Sequence, residues 1–393
     1  MRDGAEVAVR GVALPCLLGL RWFTFRGGEP STAAPGRSAG VRDRLILGAK
    51  VAVDEVFFAT EVLAGSPLAF LDTARVRAEV DDAVHLYEEA GWLGRPERYH
   101  ATPPALRNLD ITAGAAPGLP YLHARFASEY TPWPGEPGRE RYLGYAPNRT
   151  AHAWLYRHPG PPRPWIVCLP AYRMGDPRVD MVGFRIGRLH RTLGLNVAVP
   201  VFPFHGPRAI GRRSGDGFLA GDFLDTVHGQ AQAVWDARRL IGWLRAEGAP
   251  AVGIYGVSLG AYTTTLLASL EADLDCVIAG IPAIDFLDLM RANTASVLVQ
   301  LTERLGFPWD RIRTMLGVIS PLAFDRRPAP ERCYLFAGAA DQLAPRQQVL
   351  DLWRHWGEPR LAWYQGSHVS YLIERDVQTF VADALRESGL LAA

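Results

Sequence analysis

From residue 164 onward the hydrophobic positions repeat in one pattern: a short, near-continuous apolar run, then a stretch with helical spacing. The runs fall at 165–169, 196–201, 251–257, 276–281, 333–337 and 361–364. Runs apolar at every position predict strands buried on both faces. The intervening stretches predict helices at about 181–193, 226–245, 286–319 and 371–386. In the second of these Val227, Ala231, Val234, Ile241 and Leu244 share one face. Strand–helix alternation of this kind gives an α/β fold, a mostly parallel sheet with helices on both faces. Ligands of such sheets sit beyond the carboxyl ends of the strands.

Upstream the pattern changes. Residues 1–43 have little period and many glycines, prolines and arginines, which predicts an irregular lead-in. From 44 to 91 the spacing is helical, with Leu45, Leu47, Val51, Val53, Phe57 and Val62, then Val76, Val80, Ala83, Val84 and Tyr87. This predicts an N-terminal extension of two or three helices. Residues 100–119 read as loop. Leu122, Ala124, Phe126 and Tyr130 alternate with polar positions and predict a half-buried strand. The segments 141–145 and 151–156, around a turn at 146–149, predict a hairpin. The expected division is 1–120, lead-in and helical extension, and 121–393, the main domain.

Composition changes this picture little. Of 393 residues 48% are hydrophobic and 21% charged, ordinary for a soluble globular chain. The net charge of +1 gives no bulk field for nucleic acid or an anionic membrane. Cys16, Cys168, Cys276 and Cys333 are far apart, and the last three lie in strand-like runs. They read as buried thiols in a reducing compartment, which places the protein in the cytoplasm. The apolar stretch 11–20 is interrupted by Pro15 and followed by Arg21-Trp22-Phe23, so neither a signal peptide nor a membrane span is expected.

Candidate chemistry centres on Gly256-Val257-Ser258-Leu259-Gly260, which follows an apolar run and opens a helical stretch. A strand–turn–helix of this kind lifts a serine hydroxyl to the edge of a sheet. Gly36-Arg37-Ser38-Ala39-Gly40 fits the same pattern but has no apolar run before it, and reads as loop. A serine hydroxyl is a weak nucleophile and needs a base, which needs an orienting acid. Asp341 follows the run at 333–337, and His368 follows the run at 361–364. All three thus lie at carboxyl ends of strands and can meet on one rim. Asp341 also fits a helix N-cap, and Asp285, after the run at 276–281, is a second candidate acid.

These pieces, with Phe204-His205-Gly206 after an earlier strand, resemble the α/β-hydrolase superfamily over about 121–386. The resemblance implies a serine esterase or lipase-like activity and an oxyanion hole of two backbone N–H groups; the sequence itself carries no His/Cys cluster with ligand spacing and no Gly-x-Gly-x-x-Gly after a strand, so no cofactor or metal is expected. One donor would be Leu259. The other would come from the loop after 165–169, which reads Pro170-Ala171-Tyr172 where many members carry His-Gly, so Ala171 or Tyr172 is the candidate. Residues 285–320 stand where the family often inserts a helical cap; core helices are the alternative. A cap would line an apolar acyl pocket with Met290, Tyr172, Phe204 and His205. Asp176 and Asp180, near the entrance, are expected to be solvated.

The reading is a serine hydrolase acting on a small-molecule carboxylic ester with an apolar acyl group. A peptidase, thioesterase or acyltransferase on the same triad, and a non-catalytic interaction protein, are the alternatives. A metal-dependent hydrolase using His190, His205 and aspartates lacks any ligand spacing.

Overall fold

The computed structural model describes residues 46–54, 73–116, 118–219, 222–292, 303–304, 306–325 and 329–391. The Ser38 motif, Cys16, and Leu45, Phe57 and Val62 of the expected helices lie outside them. Nine strands among the described residues form a single sheet in the order β1-β2-β3-β5-β4-β6-β7-β8-β9. The strands are β1 (Asp110–Ala116), β2 (Leu119–Ala127), β3 (Thr150–Tyr156), β4 (Trp165–Leu169), β5 (Asn196–Val201), β6 (Val252–Val257), β7 (Cys276–Gly280), β8 (Cys333–Gly338) and β9 (Arg360–Tyr364). The first three pairings, β1 to β2 to β3 to β5, are antiparallel; from β5 through β4 to β9 every pairing is parallel.

The helices are residues 46–54 (α1), Thr73–Glu89 (α2), Arg139–Leu143 (α3), Pro177–Gly183 (α4), Phe223–Ala246 (α5), Leu259–Leu270 (α6), Phe286–Ala292 (α7), Trp309–Leu316 (α8), Arg346–His355 (α9) and Arg375–Glu387 (α10). They cover both faces, and the strands alternate between two cores. Val167, Leu169, Val252 and Ile254 face the core built with Val80, Val84, Ile241, Leu266 and Ile312. Ile166, Cys168, Tyr255 and Val257 face the one built with Leu189, Val381 and Leu385. Strands β4 to β8, buried along their whole length, therefore need apolar residues at nearly every position, which is why the apolar runs located them.

The antiparallel end departs from the sequence expectation. Residues 110–116, read as loop, form edge strand β1, paired with β2 in full register from Asp110↔Arg125 to Ala116↔Leu119. The boundary drawn at residue 120 therefore falls inside β2. The expected hairpin at 141–156 does not form: 139–143 is the short helix α3, and β3 pairs with β2 and β5. The cause is tertiary. Arg141 reaches Glu79 of α2 (2.7 Å) and Asp225 of α5 (3.0 Å), while the Tyr142 hydroxyl donates to Gln232 (2.5 Å).

Within 285–320, Ile312, Met315, Val318 and Ile319 are fully buried in the core that α2 also joins, and residues 293–302 and 305 lie outside the described ones. Cys168, Cys276 and Cys333 are all buried. No helix among the described residues is long and apolar enough to cross a membrane.

Candidate active site

The chain runs from β4 to β5 on one side and then to β6 on the other, so the crevice between β4 and β6 is where the strand order reverses. Leu169, the last residue of β4, pairs with Gly256 of β6. The loop at 170–175 and the turn at Ser258 are therefore neighbours by register.

Ser258 occupies that turn with φ 54° and ψ −115°, a conformation L-residues seldom adopt. The surrounding packing forces it. A Cβ on Gly256 would lie 2.1 Å from the Gly260 carbonyl oxygen, and a Cβ on Gly260 would lie 1.8 Å from that of Leu169. Only glycine lets strand, turn and helix close this tightly. The Ser258 N–H donates to the Gly280 carbonyl (3.0 Å), pinning the turn to β7.

His368, in the loop after β9, brings Nε2 to 2.9 Å from the Ser258 Oγ and Nδ1 to 2.7 Å from Asp341 Oδ2. A carboxylate only accepts, so Nδ1 carries the proton and Nε2 is left to accept from the serine hydroxyl. Asp341 does not cap a helix, since the N-cap of α9 is Pro345; it braces the turn ahead of that helix. Its Oδ1 accepts from the N–H groups of Leu343 and Ala344, both 2.9 Å, and Oδ2 faces the imidazole. The His368 and Asp341 side chains are 10% and 4% exposed. Burial pulls the imidazole pKa down, but the Asp341 charge, its hydrogen bond and the Asp54 charge outweigh burial and the net shift is upward. The competing acid, Asp285, is engaged elsewhere, by Arg313 (2.5 Å) and the Asp288 N–H (2.8 Å).

Of the candidate oxyanion donors, Leu259 opens α6, where backbone N–H groups have no partner in the helix. The Ala171 N–H points at the Met174 thioether sulfur (3.2 Å). Tyr172 packs edge-on to His205 and carries the Arg173 guanidinium over its ring at 4.6 Å. Met290, in α7, is half-buried against the core. Phe204 and His205 are wholly buried, Phe204 against Tyr142, Tyr145 and Phe218. His190 stacks on His158, and no metal-holding group of three His, Cys, Asp or Glu side chains occurs among the described residues.

Asp180 corrects the expectation of a solvated carboxylate. It is fully buried, accepting from the Gly175 N–H and the Trp154 indole N–H, both 2.9 Å, and burial pushes its pKa up to about 7. It ties the 170–175 loop to β3. Asp176 is exposed and caps α4 through the Arg178 N–H (2.9 Å).

Asp54 was missed altogether. Its carboxylate, fully buried, accepts from the backbone N–H groups of His368 (2.7 Å) and Val369 (3.0 Å). Nearby, Lys50 donates to the Gln365 carbonyl (2.9 Å) and pairs with Glu374 (2.5 Å). A signal existed. Residues 47, 50, 51 and 54 form the inward stripe of α1, with i, i+3, i+4, i+7 spacing, and two of those four positions are charged.

No family model matches the chain. A protein found in two strains of Mycobacterium tuberculosis, itself named only as uncharacterised, is 40% identical over 329 residues, covering 81% of this chain and 77% of its own length. Among solved structures, acetyl xylan esterase 1 of Thermoanaerobacterium superposes with a TM-score of 0.50 at 15% identity, over 77% of this chain and 93% of its own. An acetyl xylan esterase of Paenibacillus gives 0.51 at 13% identity, over 79% and 94%. The chain therefore belongs to the family of the mycobacterial protein, and its sheet order and these neighbours give it the α/β-hydrolase fold.

Proposed function

We propose that this protein is a serine hydrolase that cleaves a carboxylic ester through an acyl-enzyme on Ser258. The observation that carries the reading is the unbroken relay from Ser258 Oγ through His368 to Asp341, at 2.9 and 2.7 Å. In the first half-reaction Nε2 takes the hydroxyl proton as Oγ attacks the ester carbonyl, then gives it to the departing alkoxide. In the second, Nε2 takes a proton from water, the hydroxide attacks the acyl carbon, and Ser258 leaves reprotonated. Asp341 holds the tautomer and stabilises the imidazolium in both.

The negative charge of each tetrahedral intermediate falls to Leu259 N–H and a donor from the 170–172 loop. Ala171 suits that second role, because a thioether is a weak acceptor and yields the N–H to an oxyanion. The substrate is a small ester, with its acyl group against apolar surface near Tyr172 and Met290.

Labelling with a fluorophosphonate, read by intact mass, tests the reading. One adduct on the wild-type chain, absent in Ser258→Ala, supports it; no adduct on folded wild-type protein overturns it. A series of p-nitrophenyl esters then tests the apolar acyl site. Rising kcat/KM with chain length supports it, and cleavage of the acetate alone refutes it.

A further inference from the structure

We propose that Asp54 is a positioning residue for His368, so that the N-terminal helix α1 is a working part of the active site. The proposal rests on the reading of His368 as general base.

The geometry is one-directional. His368 sits at the start of the single 3-10 turn Val369–Leu372. The N–H groups at such a start have no partner in the turn and point away from it. Both of the first two end on one carboxylate, Asp54 Oδ2 for His368 and Oδ1 for Val369. Neighbouring bonds close the clasp: the Ser367 hydroxyl donates to the Lys50 carbonyl (2.8 Å), and Lys50 bonds Gln365 and Glu374 on either side. Five contacts thus join α1 to residues 365–374. No loop side chain does what Asp54 does for the backbone of His368.

Burying a carboxylate is costly unless hydrogen bonds and charge compensate it. Here the two N–H groups and the imidazole offset part of that cost, burial still holding the carboxyl pKa up, and all belong to the loop that carries the base. The same carboxylate adds negative potential at the imidazole, alongside Asp341. The other titratable groups facing this pocket are Lys50 on the same helix, Glu374 ahead of α10 and Tyr364 of β9. Asp54 therefore fixes where the imidazole sits and favours its protonated state. It touches no reacting atom, so its effect falls on kcat and leaves the KM of a small ester unchanged.

The test uses the full chain. The His368 imidazole is titrated by NMR in the Ser258→Ala background, with and without Asp54→Asn. The shape-conserving amide keeps one acceptor and loses the charge. The expected result is a His368 pKa lower by roughly half a unit or more. In chains with Ser258 intact, Asp54→Asn lowers kcat about ten- to a hundredfold, as a displaced base does, with KM unchanged. Asp54→Ala, which removes both acceptors, lowers it further.

Unchanged titration together with kcat within twofold of wild type in both variants overturns the proposal. The titration needs no turnover, so it separates this failure from failure of the serine mechanism, which the fluorophosphonate adduct reports. Should the variants not fold, hydrogen exchange on the wild-type chain decides: protected amides at His368 and Val369 support the clasp, and unprotected ones overturn it.

Discussion

Replacing Gly260 by alanine strikes the point where the serine turn meets the loop after β4. The added Cβ would stand 1.8 Å from the Leu169 carbonyl oxygen, 2.5 Å from its carbon and 2.8 Å from the Pro170 carbonyl oxygen. Real Cβ atoms do not approach closer than about 3.0 Å, so the two segments must part by more than an ångström. Both neighbours are backbone, and neither can swing aside as a long side chain would. The movement carries Pro170-Ala171-Tyr172 away from the turn, and with it the proposed second oxyanion donor. A misplacement of about 1 Å costs roughly 10²-fold in rate. Loss of one such donor costs about 2.7–4 kcal/mol, or about 10²–10³-fold in kcat. The expected outcome for Gly260→Ala is therefore a fall in kcat of about 10²–10³-fold on a p-nitrophenyl ester. KM should hold, and overpacking should cost about 1–3 kcal/mol of stability. Gly242 is the control. It lies on the exposed side of α5 with nothing within 4 Å of a Cβ, so Gly242→Ala leaves activity unchanged and stabilises by about 0.5–1 kcal/mol. A folded Gly260→Ala protein with native kcat would refute the reasoning, and the oxyanion site would then lie elsewhere.

Three further outcomes follow from the same geometry. Asp341→Asn should lower kcat by about 10⁴-fold, the loss expected when the imidazole is held in the wrong tautomer. Asp285→Asn, which disturbs only the contacts with Arg313 and Asp288, should stay within a few-fold; the reverse pattern in steady-state rates would reassign the acid. The base must be neutral to take the serine proton, and the His368 pKa is raised above 6.5. The acid limb of kcat/KM against pH should therefore have its midpoint above 6.5, with activity lost as pH falls through it; a midpoint below 6.5 would mean that burial outweighs the two carboxylates at the imidazole. Asp236 neutralises the fully buried Arg208 (2.9 Å) and accepts from the Ser128 hydroxyl (2.5 Å). Asp236→Ala should cost about 3–5 kcal/mol in urea unfolding, and a loss below 1 kcal/mol would mean that Arg208 finds another partner.

The parallel half of the fold was legible because both of its faces are covered. Strands buried on two sides must be apolar throughout; Ser258 and Asp341 stand at the ends of two such strands, and His368 follows the half-buried edge strand β9. Edge strand β1 was not legible, since Asp110, Ile111, Thr112 and Ala113 are all exposed and carry no alternation. The segment 141–145 was misread because Arg-Tyr-Leu-Gly-Tyr suits strand or helix equally, and contacts with α2 and α5 decide. Asp180 and Asp54 share one difficulty. A carboxylate reads as solvated unless its donors are known, and theirs are backbone N–H groups and an indole, which no side-chain pattern announces.

The bond between Asp54 and His368 spans 314 positions of chain. A ribosome adding roughly 5–20 residues per second makes the acid of the clasp about 15–60 s before the base it holds. Ser258 and its turn also emerge ahead of both Asp341 and His368. From the synthesis of Ser258 until that of His368, 110 positions later, the nascent chain displays the serine without the base that would activate it. Reactivity would switch on only when β9 docks and the first helix closes over the last loop, making the onset of catalysis a report on the completion of folding.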